Sequence, residues 1–149
     1  PNYPAMLGVG TMVLCSDTDF TQEERAAAEN LMGAVGHVEW IEERHMDAVT
    51  GLSGSGPAFV AMFIEALADG GVMEGLSRSQ AMNLAMQTVM GTAKLLQEEG
   101  SLHPGELKDR VCSPGGTAIE GVKALEAGQF RHTVMNAVIA AGEKSKRLI

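Results

Sequence analysis

The sequence predicts a mostly α-helical fold that begins with a short β-α-β segment, and two observations support this prediction. After residue 42, apolar residues recur at spacings of three and four, which places them on single faces of helices. Before that point, two short apolar runs flank one amphipathic helix. The 149 residues are 45% hydrophobic and 20% charged, which is typical of a globular chain and not of a disordered one.

The first 41 residues are predicted to hold both strands. Met6 to Cys15 is an apolar run and is predicted as the first strand. Thr21 and Glu24 have the spacing of a capping box, so a helix is expected to begin there. His37 to Ile41 is the second strand candidate. Because a β-α-β piece of this size cannot bury both of its faces, we expect it to be the remnant of a larger sheet.

The remaining residues are predicted to form a succession of helices. The first of these helices is expected to break at the run from Gly51 to Gly56, and Pro57 suits the first turn of the next one. Ser77 and Gln80 form a second capping box before a long helix. The apolar stripe of that long helix consists of Met82, Ala85, Met86, Val89, Ala93 and Leu96. The last helix is expected to end in basic residues, namely Lys144, Lys146 and Arg147.

Composition narrows the classes of function. The net charge of −8 argues against nucleic-acid binding, which depends on clustered cations. We find no apolar run of about 18 residues, so no membrane span is expected. Cys15 and Cys112 are isolated, which favours free thiols in the cytoplasm. The four histidines share no metal-binding spacing, so no metal site is predicted. Since the chain begins at Pro1 and not at Met, we expect a processed or excised piece.

The run from Val111 to Thr117 is the most informative stretch of the chain, and it precedes a helix predicted from Ala118 to Ala127. Gly115 and Gly116 let the backbone approach a ligand closely. The amides at the start of the following helix have no internal partner and lie at the positive end of its dipole. A small anion such as a carboxylate or phosphate fits such a place. An ordinary helix start with Ser113 as its cap is an alternative that the residues leave open.

Other glycine-containing runs do not match motifs of known chemistry. The run from Gly51 to Gly56 lacks the Gly-Lys-Ser/Thr of a P-loop and the spacing of a nucleophile elbow, so a helix break is its simplest interpretation. Gly8 and Gly10 form the start of a dinucleotide fingerprint, but strand residues follow them where a helix should begin. The sequence therefore contains no recognisable site for the diphosphate of a dinucleotide.

Three stretches resemble the signature regions of pyrroline-5-carboxylate reductases, the enzymes that complete proline synthesis: Asp47 to Phe59, Ala66 to Val72, and His103 to Thr117. The similarity runs from Pro1 to the C-terminus without a large gap. It implies an enzyme in which NADPH, or NADH, delivers hydride to the C=N carbon of 1-pyrroline-5-carboxylate. It also implies a helical bundle that interlocks as a homodimer, and dimers that can assemble into a larger ring.

The resemblance assigns roles to particular residues. Ser113, Gly115, Gly116 and Thr117 would hold the carboxylate of the substrate, through the Ser113 hydroxyl and the backbone amides of Gly116 and Thr117. Thr50 would contact the ring nitrogen as the catalytic residue. Many members of the family have a second Thr after Thr117, where this chain has Ala. One hydroxyl donor is therefore absent, and backbone donors must contribute more to binding.

The resemblance also implies a division of the chain. Residues 1–41 would be the tail of a Rossmann-like cofactor domain, and residues 42–149 the helical dimerisation and substrate-binding domain. The cofactor would be bound mainly by residues outside this chain, so we expect the isolated chain to be inactive. A non-catalytic helical module for dimerisation or ligand binding is the alternative interpretation.

Overall fold

A computed structural model describes residues 1–148, and most of these residues are helical. The regular elements are, in chain order, β1 (Gly10–Cys15), α1 (Gln22–Gly33), β2 (Gly36–Ile41), α2 (Met46–Val49), α3 (Gly56–Met73), α4 (Arg78–Glu98), α5 (Pro104–Val111), α6 (Thr117–Ala127) and α7 (Phe130–Ser145). Short 3-10 turns cover Tyr3–Leu7 and Glu43–His45, and a π-helical segment covers Thr50–Gly54. The predicted fold class, mostly α after a β-α-β start, is confirmed.

The β-α-β segment is a parallel pair of strands joined by α1. Strands β1 and β2 pair in register from Gly10 opposite Gly36 to Cys15 opposite Ile41. Helix α1 begins at the predicted capping box. Its Glu24 amide donates to the Thr21 hydroxyl at 3.2 Å, and the Glu24 carboxylate accepts from the Thr21 amide at 2.8 Å. These two reciprocal bonds satisfy backbone donors that the first turn would otherwise leave free.

The first strand begins later than the sequence suggested. Met6 and Leu7 belong to the 3-10 turn Tyr3–Leu7, which has Pro4 in its first turn, so the predicted strand start at Met6 is wrong. Gly8 ends the turn with φ of +74°. Apolar composition alone does not separate a short turn from a strand, and here the proline decides in favour of the turn.

The predicted helix break at Gly51 to Gly56 is also wrong. The chain stays helical from Glu43 to Met73, and it widens into a π-helix at Thr50–Gly54. Within that segment the Ser55 amide donates to the Thr50 carbonyl at 2.9 Å, the five-residue spacing of a π-turn. Gly51 is buried here against the backbone of α7. Its lack of a side chain therefore serves close packing and does not end the helix.

The chain divides into two compact units. One consists of residues 1–60 together with the chain from residue 134 onward, and the other consists of residues 61–133. Met12 of β1 is buried in the first unit, at 5% exposure. In the second unit Ala68 of α3 packs with Ala81 and Ala85 of α4. Small side chains allow these helices to approach closely, but such a core buries little apolar area.

Many large apolar side chains lie exposed on the helices. Examples on α3 and α4 are Met62, Met73, Leu84 and Met90, each of them more than half exposed. By length and composition alone, the helical run Glu43–Met73 could cross a membrane. The expectation from sequence missed this run, because it required about 18 consecutive apolar residues. One such helix is weak evidence for a membrane span, because an apolar helix that packs against protein meets the same criterion.

Candidate functional site

The loop that links α5 to α6 contains all four residues predicted to hold the carboxylate. Gly115 has φ of +68°, a conformation that glycine adopts without steric cost. The Gly116 amide donates to the Ser113 carbonyl at 3.0 Å and closes the turn. A Cβ on Gly116 would lie 2.4 Å from the Ser113 hydroxyl oxygen, so a side chain there would displace this hydroxyl. Ser113 and Thr117 are exposed at the two ends of the turn.

The structure excludes the alternative in which Ser113 caps α6. The residue that precedes the helix is Gly116, and no side chain caps this end. Helix α6 begins at Thr117, one residue before the predicted start. The amides of its first turn therefore point out of the helix without a side-chain partner, as the first amides of an uncapped helix do. They lie at the positive end of the helix dipole, which favours an anion.

Charged side chains near this loop are already paired. On α5, Lys108 pairs with Asp109, which raises the pKa of the lysine, and Arg110 contacts Glu106 at 2.8 Å. In the first turn of α6, Glu120 pairs with Lys123 at 3.2 Å, which offsets the repulsion that its carboxylate would exert on an anion. Because the nearby cations pair with carboxylates, the groups of this loop that could donate to an anion are its backbone amides and the Ser113 hydroxyl.

Thr50 lies in the first unit, at a cavity of about 250 Å³. The lining residues are Pro1, Thr11, Val13, Met46, Val49, Thr50, Ser53 and Gly54. The Thr50 hydroxyl donates its hydrogen to the Met46 carbonyl at 3.0 Å. Its lone pairs remain available as acceptors, because a hydroxyl can donate once and still accept. In this arrangement Thr50 can accept a hydrogen bond from a ligand N–H group.

A long-range contact at the same cavity involves a residue that the sequence did not reveal. The Asn2 side chain donates through Nδ2 to the Ser53 carbonyl at 3.0 Å, and its Oδ1 accepts from the Thr11 amide at 2.8 Å. An asparagine two residues before a proline is a common turn residue, so its sequence context indicates a local cap. No local signal points to a partner 51 residues away.

The turn between β1 and α1 does not fit the diphosphate of a dinucleotide. The turn between β1 and α1 contains Asp17 and Asp19 and no glycine, and α1 is capped by Thr21 with two glutamates in its first turn. A diphosphate site needs glycines and free amides at this turn, and carboxylates there repel it. Among residues 1–148, no group of three His, Cys, Asp or Glu side chains is placed to hold a metal ion.

The fold and the loop define a class: a helical protein in which a glycine-rich turn opens an uncapped helix, preceded by a parallel β-α-β segment. A family model described as "Pyrroline-5-carboxylate reductase dimerisation" matches residues 43–148. The chain belongs to the pyrroline-5-carboxylate reductase family, and the predicted resemblance is confirmed.

Relatives named pyrroline-5-carboxylate reductase match almost the whole chain. The one from Arabidopsis thaliana is 53% identical over 148 residues, which are 99% of this chain and 53% of the relative. The one from Escherichia coli is 46% identical over 99% of this chain and 55% of the relative. The chain thus spans about half the length of these curated relatives. The comparisons do not test the roles of Thr50 and of the loop residues, which stay predictions.

Solved structures show the same fold. A Plasmodium falciparum pyrroline carboxylate reductase with NADP bound superposes with a TM-score of 0.89 at 40% identity, covering 99% of this chain and 59% of that chain. A pyrroline-5-carboxylate reductase from Coxiella burnetii gives a TM-score of 0.93 at 34% identity, covering 99% and 55%.

Proposed function

We propose that this chain is the substrate-binding and dimerising part of an enzyme that reduces 1-pyrroline-5-carboxylate to L-proline with NADPH or NADH. The observation that carries the proposal is the uncapped start of α6 beneath the Ser113 turn. A carboxylate is the anion on the predicted substrate, and the turn offers donors in the geometry that small anions prefer. The names of the relatives, and the NADP in the Plasmodium structure, support the reaction class.

In the proposed binding mode, the Ser113 hydroxyl and the Thr117 amide donate hydrogen bonds to the substrate carboxylate. The Gly116 amide, which the resemblance assigns as a second donor, already donates within the turn. We therefore assign to Gly116 only the missing side chain, which leaves room for this approach. Gly115 provides the positive φ that the turn requires. Bonds between amides or hydroxyls and a carboxylate are charge-assisted and short, so they fix the orientation of the ring.

Thr50 is the residue that we assign to the ring nitrogen. The reaction adds a hydride to the C=N carbon and a proton from solvent to the nitrogen, which is left with an N–H bond. Once the nitrogen is protonated, its N–H can donate to the Thr50 oxygen, whose own hydrogen is engaged by Met46. The nicotinamide cofactor supplies the hydride when it is bound. The residues of this chain then orient the carbon that receives the hydride.

The two parts of the chain have different proposed roles in binding the cofactor and the substrate. We propose that residues 1–41 are the tail of the cofactor domain, that residues 42–149 bind substrate and dimerise, and that the cofactor is held mainly by residues outside this chain. The family match beginning at residue 43 and the acidic β1–α1 turn support this division. The exposed apolar helices and the family's description support a homodimer, which could assemble further into a ring. Free Cys15 and Cys112 favour action in the cytoplasm.

The test is steady-state imine reduction by the full-length protein with NADPH and with NADH. Thr50→Val keeps the shape of the side chain and removes the acceptor, so we expect kcat to fall by roughly ten- to a hundred-fold, with less effect on the KM for the substrate. Thr133→Val, at an exposed position on α7, is the matched control and should be silent. No reduction with either cofactor by the unaltered protein would favour the non-catalytic module.

A further inference from the structure

The Asn2 side chain joins two elements of the cavity wall through a pair of hydrogen bonds. It accepts from the Thr11 amide on β1 and donates to the Ser53 carbonyl in the π-helical segment. Asn2 directly precedes the turn Tyr3–Leu7 and makes no side-chain cap bond to it. The amide group is therefore used for the bridge and not for its own turn.

The π-helical segment Thr50–Gly54 is held on a second side by α7. A Cβ on Gly51 would lie 2.5 Å from the Val138 carbonyl oxygen, so the two backbones are in direct contact. Asn2 and α7 thus hold the segment that carries Thr50 from two sides. A single π-turn within an α-helix is rare, and such turns are frequent at functional sites.

The chemistry of the bridge requires a side chain that both donates and accepts. A carboxamide provides an N–H donor and a carbonyl acceptor on one short stem. An aspartate keeps the acceptor toward Thr11 but turns a second acceptor toward the Ser53 carbonyl. An alanine removes both bonds. These two substitutions therefore separate loss of one bond from loss of the whole bridge.

We propose that Asn2 is a positioning residue for Thr50: its bridge between β1 and the Ser53 carbonyl sets where the Thr50 hydroxyl lies in the cavity. This inference rests on the proposed role of Thr50 at the ring nitrogen. Asn2 is not among the residues that line the cavity, and its effect on the reaction passes through Thr50.

The test is a double-mutant cycle on kcat in the full-length protein, with Asn2→Asp, Asn2→Ala and Thr50→Val. A displacement near 1 Å at a reacting centre can cost up to roughly a hundred-fold, so each Asn2 variant should lower kcat by about ten-fold or more, with a smaller change in the KM for the substrate. In the Thr50→Val background the same Asn2 substitutions should change kcat less than about two-fold, because coupled residues are not additive. Asn30→Ala, an exposed amide on α1, is the matched control and should leave kcat unchanged.

Two results would overturn the inference, and they are distinguishable. If Thr50→Val lowers kcat and the Asn2 effects multiply with it, Asn2 does not act through Thr50 and the proposed function stands. If Thr50→Val alone leaves kcat unchanged, the assigned role of Thr50 fails and the inference fails with it. The melting temperature shows whether Asn2→Ala has lost its fold. If it has, the double-mutant cycle with Asn2→Asp, which keeps the bond to Thr11, tests whether Asn2 acts through Thr50.

Discussion

Gly51 and Gly142 pack backbone against backbone. A Cβ on Gly51 would lie 2.9 Å from the Gly142 amide nitrogen, and a Cβ on Gly142 would lie 3.2 Å from the Asp47 carbonyl oxygen. Both glycines are buried. This contact seats the π-helical segment on α7, so it also fixes one side of the segment that carries Thr50.

The first prediction is that Gly51→Ala destabilises the protein. The added methyl group has no space, and overpacking of this kind costs about 1–3 kcal/mol or more. Gly56→Ala is the matched control, since nothing lies within 4 Å of its Cβ and α3 begins there. Urea unfolding of both variants measures the difference in the free energy of unfolding. Equal stabilities would show that the close contact at Gly51 is unimportant.

The second prediction is a stable dimer. Met86 is 45% exposed and Met90 is 59% exposed on α4, and a second copy of the chain would cover such apolar side chains. Sedimentation equilibrium should give twice the chain mass at micromolar concentration. Met86→Glu should favour the monomer, because an unpaired carboxylate buried in an interface costs about 3 kcal/mol or more. Asn30→Glu, at an exposed position on α1, controls for added charge. A wild-type monomer would contradict the dimer.

The third prediction concerns acid stability at the start of α1. Hydrogen bonds from the Thr21 amide and hydroxyl lower the pKa of Glu24. The stability that the ionised carboxylate contributes is fully present above its unfolded pKa, about 4.3, and is lost as the pH falls through the lower native pKa. Melting temperatures measured downward from neutral pH should therefore fall less steeply in Glu24→Gln than in the wild type. Glu23→Gln should keep the wild-type slope; identical slopes in all three proteins would argue against the capping role.

The fourth prediction is that the isolated chain neither binds NADPH measurably nor reduces the imine. The reason is the acidic turn between β1 and α1, where Asp17, Asp19 and the capped helix oppose a phosphate. Titration calorimetry of the chain, with the full-length protein as the positive control, measures the affinity. Tight binding by the isolated chain would mean that its cofactor site lies elsewhere in these residues.

Local signals in the sequence predicted much of the fold, and long-range contacts explain the rest. Both capping boxes are set by residues three apart, so Thr21 and Ser77 marked the starts of α1 and α4 correctly. The flexibility of the glycines from Gly51 onward, taken alone, predicts a helix break, and that prediction is wrong. The contact that keeps the segment helical comes from Val138 and Gly142, which lie much further along the chain.

In the candidate site, too, local features could be predicted from the sequence and long-range contacts could not. The loop from Ser113 to Thr117 is continuous in sequence, so its glycines and the helix that follows are enough to indicate an anion site. The helix cap could not be assigned from residue type, which favours Ser113, whereas the residue that precedes α6 is Gly116. Asn2 could not be found from sequence, since its partner Ser53 is remote and both residues are common in turns.

The measurement that tests the central claim most directly is the KM of Ser113→Ala in the full-length protein with two substrates. With 1-pyrroline-5-carboxylate, loss of a charge-assisted hydrogen bond worth about 1.5–3 kcal/mol should raise KM by roughly ten- to a hundred-fold. With 1-pyrroline, which lacks the carboxylate, the variant and the wild type should have the same KM, and Ser79→Ala should match the wild type with both substrates. An unchanged KM for 1-pyrroline-5-carboxylate, or an equal rise with both substrates, would contradict carboxylate binding by this loop.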